Sequence, residues 1–447
     1  MPATTALTTE PAERRREHAR DRRRLVPRSS LGVWDPPPDR PDPIAVLREQ
    51  ERHRIPELLA IRHRRMAASP FAFLRGAAAV MAGDLARTEP TGFNVQACGD
   101  AHLLNFGVFA SPERRLVFDV NDFDETLPAP FEWDVKRLAA SLVVAARGRS
   151  FPAGACAAAG RAAAESYRTG IAAFAAMGHL DVWYAHVEVQ DLLRLLSDAE
   201  ARKLEGQVAR KAQQATSLGA LDKLTEVVDG ERRIVDSPPL VEHVPMREDA
   251  ELVVSRYVSS LPEDRRALLS RYRPVDWARK VVGVGSVGTD DGVVLLLGDS
   301  DDDPLFLQVK EAEASVLEPF AGASTYANPG QRVVEGQRLM QAVSDIFLGW
   351  TSIADRGYYV RQLRDMKGSI PLDKLGASEL ADYARACGAA LARAHARSGD
   401  PVAIAAYLGG GDAFDQAISR FAVAYANQTE SDHERLLEAI KSGELPG

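Results

Sequence analysis

Three cysteines in 447 residues, Cys98, Cys156 and Cys387, are too few and too scattered for a disulfide framework or a thiolate metal site, and they point to a reducing compartment. Long apolar runs are also missing. No stretch approaches the ~18 to 20 residues needed to span a bilayer, and no signal-peptide core follows the Arg-rich start. A cytoplasmic protein without membrane partners is the expectation. Positive charge is in deficit, with 55 Lys and Arg against 63 Asp and Glu and a net charge of −8. This argues against a nucleic-acid binder, which must neutralise phosphates. The one basic island, RRREHARDRRR at 14–24, precedes a Pro-rich stretch and reads as a solvated arm or helix end, or else as a contact for a polyanion or nucleotide phosphate. What remains is globular in kind: 45% hydrophobic and 26% charged residues, in a chain long enough for two or three domains or one two-lobed enzyme.

Apolar residues recur at three- and four-residue spacing in IAVLREQERHRIPELLAIRHRRMAAS and FAFLRGAAAVMAGDLAR, which predicts two helices. The period then shortens. VQACGD leads into AHLLNFGVF, SPERR turns the chain and LVFDVNDFDE returns, a hairpin with acids at its end. Ala-rich helical patterns follow from Asp134, and DLLRLLSDAEARKLEGQVARKAQQ continues in helical period. Residues 277–312 hold three β-rich segments, WARKVVGVGSVGT, DGVVLLLGD and PLFLQVKEA. QRVVEGQRLMQAVSDIFL predicts a helix, YYVRQLRD a strand, SELADYARACGAALARAHARS a helix, and a closing helical pair is expected from Asp412 to about Lys441.

Two clusters of residues could carry chemistry. In CGDAHLLNFGVF, Asp100 and Asn105 stand five apart across a tight bend, and Asp119, Asp122 and Asp124 return on the paired strand. Carboxylates and an amide oxygen in one small volume suit Mg²⁺ carrying a polyphosphate; a polar turn whose acids cap local structure is the alternative. The second cluster is KVVGVGSVGT, with Gly283, Gly285 and Gly288 in G-x-G-x-x-G spacing around Ser286. A dinucleotide fingerprint must open a helix, whereas strand follows here. A glycine loop between antiparallel strands, followed by a strand ending in Lys310, is instead the order of a phosphate-covering loop. Lys310 would then hold phosphates and pair with Glu335 on the next helix, with Glu311, Glu313 and Glu318 as lesser rivals. An ordinary strand-end lysine is the alternative.

These residues resemble the protein-kinase-like superfamily, especially its aminoglycoside- and small-molecule-phosphotransferase branch. Gly99-Asp100-Ala101-His102-Leu103-Leu104-Asn105 is similar to that branch's catalytic loop, which implies Asp100 as catalytic base and Asn105 as a metal ligand. Val117-Phe118-Asp119, with Asp122 close behind, looks like the strand and Asp that hold metal. Asp134 looks like the structural Asp opening the next helix. The residue before Gly-Asp is Cys98 rather than the usual His. RMAASPFAFLRGAA, CGDAHLLNFG, FDVNDFDETLPAPFEWDVKRLAASL and RVVEGQRLMQAVSDIFLGW also resemble the bacterial family DUF2252, a domain of unknown function.

In kinases the glycine loop precedes the catalytic loop; here it follows, and a circular permutation accounts for the order. The resemblance thus implies an α+β fold: a two-lobed kinase-like protein with a small antiparallel β lobe at 276–370 and a large helical lobe. The helical lobe would comprise 46–275, with the catalytic-loop hairpin at 94–126, completed by helices at 371–447, while 1–45 forms a basic, Pro-rich arm. ATP and Mg²⁺ are the implied cofactors, with a hinge near Gln362 to Lys367 meeting adenine and catalysis resting on Asp100 and Lys310. An ATP- and Mg²⁺-dependent phosphotransferase is the expected function, acting on an acceptor hydroxyl the sequence does not name. A nucleotide-binding regulator without turnover and an AMP-transferring enzyme stay open.

Overall fold

Proline and a capping side chain set the start of the early helices. The computed structural model describes residues 10–188, 221, 223–245, 248–281, 283, 285, 287–363 and 374–447. After α1 (Ala12–Leu25) come α2 (Pro43–Glu51), α3 (Pro56–Ala67), α4 (Pro70–Gly76) and α5 (Ala78–Ala86). Proline suits the first helical position because its missing N–H would have no partner there. The Asp42 carboxylate accepts from Ile44 N at 3.2 Å and Ser69 Oγ from Ala72 N at 3.1 Å, so α2 and α4 begin capped. The basic run 14–24 lies within α1 rather than in a free arm. Arg15 pairs with Asp400 at 2.6 Å, Arg22 donates to the carbonyls of Pro90 and Thr91, and Arg23 donates to that of Ala406. Spending these guanidiniums on carbonyls and a carboxylate of the helical body fixes the segment against it.

Strand β1 (Asn94–Ala97) leads into the tight stretch 98–105, β2 (Phe106–Ala110) pairs antiparallel with β3 (Leu116–Val120), and β4 (Leu127–Pro130) returns to pair with β1. Helices α6 (Phe131–Gly148) and α7 (Ala153–Phe174) follow, then the short α8 (His179–Tyr184). The expected helix at 191–214 lies outside the described residues. Strands β5 (Thr225–Val228), β6 (Glu231–Ile234) and β7 (Val241–Glu242) precede α9 (Ala250–Ser259) and α10 (Glu263–Leu269). Then come β8 (Arg273–Lys280), β9 (Gly292–Leu297), β10 (Pro304–Ala312), the short α11 (Glu318–Ala321), α12 (Pro329–Met340), β11 (Gly349–Ile353) and β12 (Arg356–Gln362). The chain closes with α13 (Ala377–Ser398), α14 (Pro401–Leu408) and α15 (Ala413–Lys441).

The molecule is α+β. One six-stranded antiparallel sheet, in the order β11-β12-β10-β9-β8-β7, carries the three β-rich segments read from the sequence. The helical core joins α6, α7, α13 and α15 around Leu138, Tyr167, Leu391 and Phe414. Its Ala-rich faces let helices approach closely: a Cβ at Gly388 of α13 would lie 2.3 Å from the Ala163 carbonyl oxygen of α7.

The expected helices differ in three places. The two expected before β1 are four: Ile55, extended ahead of Pro56, separates α2 from α3, Ser69 and Pro70 open α4, and Ala77 at φ −118, ψ 42 separates α4 from α5. The closing pair is one uninterrupted helix, α15, whose 29 residues contain neither Pro nor Gly. The helix at 331 stops at Met340 although its pattern continues to 348, because a tertiary demand intervenes: the Met340 carbonyl accepts from Arg393, and Ala342 N donates to the Asp119 carboxylate at 2.9 Å.

Candidate active site

The stretch between β1 and β2 cannot be a regular strand, because Gly99 takes φ +83 and the chain turns sharply. A Cβ at this glycine would lie 2.3 Å from the Glu125 carbonyl oxygen. Asp134, in the first turn of α6, fixes the turn by accepting from Cys98 N at 2.6 Å and Gly99 N at 3.0 Å. His395 stands 3.2 Å from the same carboxylate, and the Tyr167 hydroxyl is 2.9 Å from the other ring nitrogen of His395. The Cys98 thiol donates to the Asp122 carbonyl at 3.2 Å, which ties the turn to the acidic strand end. Burial pushes that thiol's pKa well up, so it stays protonated.

Asp100 projects from this turn. Its Oδ1 accepts from Arg137 Nε at 2.8 Å and Nη2 at 2.6 Å, while Oδ2 lies 3.7 Å from His102 Nε2. Asn105 donates through Nδ2 to the Asp100 carbonyl at 2.6 Å, which sets the loop's width. His102 is buried, and burial lowers its pKa to about 4, so the ring is neutral near pH 7.

Lys310 comes from β10. Side chains alternate along a strand, so Leu307 and Val309 face one way and Gln308 and Lys310 the other. Its ammonium donates to Asp124 Oδ2 at 2.6 Å and lies 3.9 Å from Asp122 Oδ1. The Tyr359 hydroxyl of β12 donates to Asp124 Oδ1 at 2.6 Å. Enclosure disfavours charge at Asp124, but Lys310 and this hydrogen bond outweigh it and hold the carboxyl at about 2. Asp122 is the less satisfied of the two. Burial and the neighbouring charge of Asp124 raise its pKa, and it keeps about a third of its side chain exposed. Glu125 accepts from Val316 N at 2.7 Å, and burial raises its carboxyl to about 7.

The glycine loop between β8 and β9 closes the third side. Gly283 and Gly288 take φ +70 and +96, which L side chains rarely adopt. The loop's carbonyls turn toward the N-terminal helices: Gly285 O accepts from Arg62 Nη1 at 2.8 Å, Val287 O from Arg54 Nη1 at 2.7 Å and Gly288 O from Ile55 N at 2.8 Å. All these elements line one polar cavity of about 130 Å³, bordered by Asp100, Asn105, Asp122, Asp124, Gly283, Gly285 and Arg75. A wider cavity of about 800 Å³ shares Gln50, Arg54, Glu125 and Glu313 with it.

The structure therefore brings together Asp100, Asn105, Asp122, Gly283 and Gly285, with Lys310 bonded to the acids at the cavity wall. Gly288 lies in the same loop, packed on Arg54. Asp119 is elsewhere: its buried carboxylate accepts from Arg393 at 2.6 and 2.8 Å and does not border the cavity. Glu335 does not meet Lys310. It pairs with Arg338 at 3.1 Å on its own helix, and Asp124 takes the place expected for it. The face of α12 turned to the acidic turn carries Arg332, which donates to the carbonyls of Asp124, Thr126 and Glu313. Gln362 ends β12, with its backbone N–H and side-chain amide on Asp345 at 2.6 and 2.9 Å. Ser286 and positions 364–367 of the expected hinge lie outside the described residues.

Sequence reasoning missed the arginines. Arg137 is legible only as a basic residue one turn after Asp134 on an apolar helix, and Arg75 has no local signal. The Arg75 guanidinium borders the cavity among Asp100 and Asp122, and its enclosed Nε has no hydrogen-bond partner among the described residues.

Among the described residues, no three His, Cys, Asp or Glu side chains are set to hold a metal by themselves. Mg²⁺ needs no such cage, since it is commonly held by one or two carboxylates together with substrate phosphates. Asn105, Asp122 and Asp124 are a donor set of that oxygen-rich kind.

Fold and site together define an α+β protein in which a tight acidic loop, a glycine loop and a strand lysine surround one charged cavity. Residues 54–439, which include every one of these groups, match the family model described as an uncharacterized protein conserved in bacteria (DUF2252), and the chain belongs to that family. No curated protein and no solved structure matches it. No helix among the described residues is long and apolar enough to cross a membrane.

Proposed function

We propose that this chain is an ATP- and Mg²⁺-dependent phosphotransferase with a kinase-like site whose parts are encoded in circularly permuted order. One observation carries the reading. Lys310 and Asp124, 186 residues apart in the sequence, form an ion pair at the edge of the cavity bordered by Asp100, Asn105 and the glycine loop. A phosphoryl-transfer site needs this set: a cation and backbone amides for phosphates, oxygen ligands for metal, and a carboxylate beside the acceptor.

Asn105 and Asp122 are the metal ligands in this reading, with Asp124 keeping Lys310 in place. Bound Mg²⁺ supplies charge neutralisation across the phosphates. Asp100 orients the acceptor hydroxyl and takes its proton at Oδ2, since Oδ1 is held by Arg137. Arg75 adds a positive charge facing Asp100 and Asp122, where negative charge on a transferring group would concentrate. The narrow cavity suits phosphates, and the wider one offers room for the remaining parts of substrate.

ATP labelled separately at the α- and γ-phosphates, incubated with the protein, Mg²⁺ and a bacterial metabolite extract, tests this. Label from the γ position should enter a new product, and Asp100→Ala should abolish the transfer while leaving nucleotide binding largely intact. Label from the α position would replace this reading with AMP transfer; binding without any transfer would make the chain a nucleotide-binding regulator.

A further inference from the structure

The outer face of the six-stranded sheet holds a further cavity, with a mainly apolar lining. Helices α9 and α10 cover this face incompletely and leave a cavity of about 490 Å³, within the range of small-molecule pockets. Its walls include Val253, Tyr257, Trp277, Leu296, Val309 and Val360. The polar groups of the wall are already bonded to protein. Tyr257 Oη donates to Phe347 O at 2.7 Å, Thr351 Oγ1 to Val253 O at 2.9 Å and Trp277 Nε1 to Val244 O at 3.3 Å. Asp276 accepts from Ile234 N at 2.6 Å and lies 3.0 Å from His243 Nε2. Water in such a space would find few partners, because buried water typically makes about three hydrogen bonds to otherwise unsatisfied groups.

One lining group differs. Arg266 of α10 is exposed at the wall, and among the described residues its guanidinium has neither an ion-pair nor a hydrogen-bond partner. Its neighbours are committed, Arg256 to Glu248 at 2.9 Å and Arg265 to Asp264 at 3.4 Å. An occupant must therefore present an apolar body and a single anionic end.

We propose that this cavity binds a long-chain carboxylic acid of the fatty-acid class, with the chain between the sheet and α9 and the carboxylate on Arg266. Leu307 and Val309 face the cavity while Lys310 faces the acids on the opposite side of the same strand, so the site is separate from the phosphotransferase reading and does not depend on it.

Titration of the full chain with tetradecanoate, and in parallel with tetradecan-1-ol, tests the proposal through Trp277 emission, with Trp277→Phe identifying the signal. The acid should bind saturably. Arg266→Ala, a surface change that leaves the fold intact, should weaken the acid roughly fivefold and leave the alcohol unchanged. Val294→Trp, which fills the space, should abolish the binding of both, with far-UV circular dichroism showing that the variant folds. No saturable response to the acid overturns the proposal, as does equal affinity of wild type and Arg266→Ala for it. A stable dimer that the acid does not dissociate would assign the face to a second copy of the chain instead.

Discussion

Exchanging the acids of the β3 strand and its turn one at a time should separate structure from chemistry. Asp119 and Arg393 are each about 1% exposed and joined at 2.6 and 2.8 Å, with Ala342 N also donating to the carboxylate. Arg393 Nε and Nη1 have no hydrogen-bond partner among the described residues. Asp119→Ala leaves a buried guanidinium with the Met340 carbonyl alone, and such an uncompensated charge costs about 3–5 kcal/mol. Replacing both partners, Asp119→Leu with Arg393→Met, removes the charge along with its partner and should recover most of that loss. Asp122→Asn is the contrast. Its carboxylate is more than a third exposed, with Asp124 N at 3.4 Å and Lys310 at 3.9 Å as its partners among the described residues, so the change in stability should stay within about 1 kcal/mol. Urea unfolding followed by far-UV circular dichroism, at unchanged m-value, reads all four proteins. A loss below about 1 kcal/mol for Asp119→Ala, or a larger loss for Asp122→Asn, would refute the division of labour between the two carboxylates.

Glu125, raised to about 7, keeps a proton that the unfolded chain releases near its ordinary value of about 4.3, so its contribution to stability falls as pH rises between those limits. Glu125→Gln should remove that part of the slope, at most about 1.4 kcal/mol per pH unit, in unfolding curves from pH 5 to 8; identical slopes would contradict it. His102, held near 4, acts in the opposite sense, and its contribution is lost as pH falls from about 6.5 toward 4. Gly99→Ala forces a side chain into φ +83 and against the Glu125 carbonyl, and should cost more than about 1 kcal/mol in a thermal melt and displace Asp100 enough to abolish labelled transfer. Arg75→Ala should leave the melt unchanged and lower labelled transfer about a hundredfold, with nucleotide affinity little altered. Equal transfer by wild type and variant would remove Arg75 from the site.

Much of the fold was legible because its signals are local. Apolar residues at three- and four-residue spacing mark the early helices, short apolar runs between Gly and Asp turns mark β9 and β10, and Gly283, Gly288 and Gly99 sit where backbone with positive φ is required. The end of α12 was not legible. Its apolar period continues past Met340, and only Arg393 and Asp119, reaching it from distant segments, show why the helix stops. The lysine's partner was hidden for a similar reason. Helical spacing allows Glu335 to face Lys310, but α12 lies so that Arg332 meets the acidic turn and Glu335 stays with Arg338.

The sequence by itself determined which residue types gather at the acidic hairpin and the glycine loop, since turn chemistry and strand period are written within a few residues. Which carboxylate faces the cavity was decided only in three dimensions. Asp119, Asp122 and Asp124 lie within six positions and are chemically alike. Arg393, 274 residues from Asp119, draws the first into the core, and Lys310 fixes the last. The energy of a buried charge depends on the partner that reaches it, and that partner is set by packing rather than by neighbours in sequence.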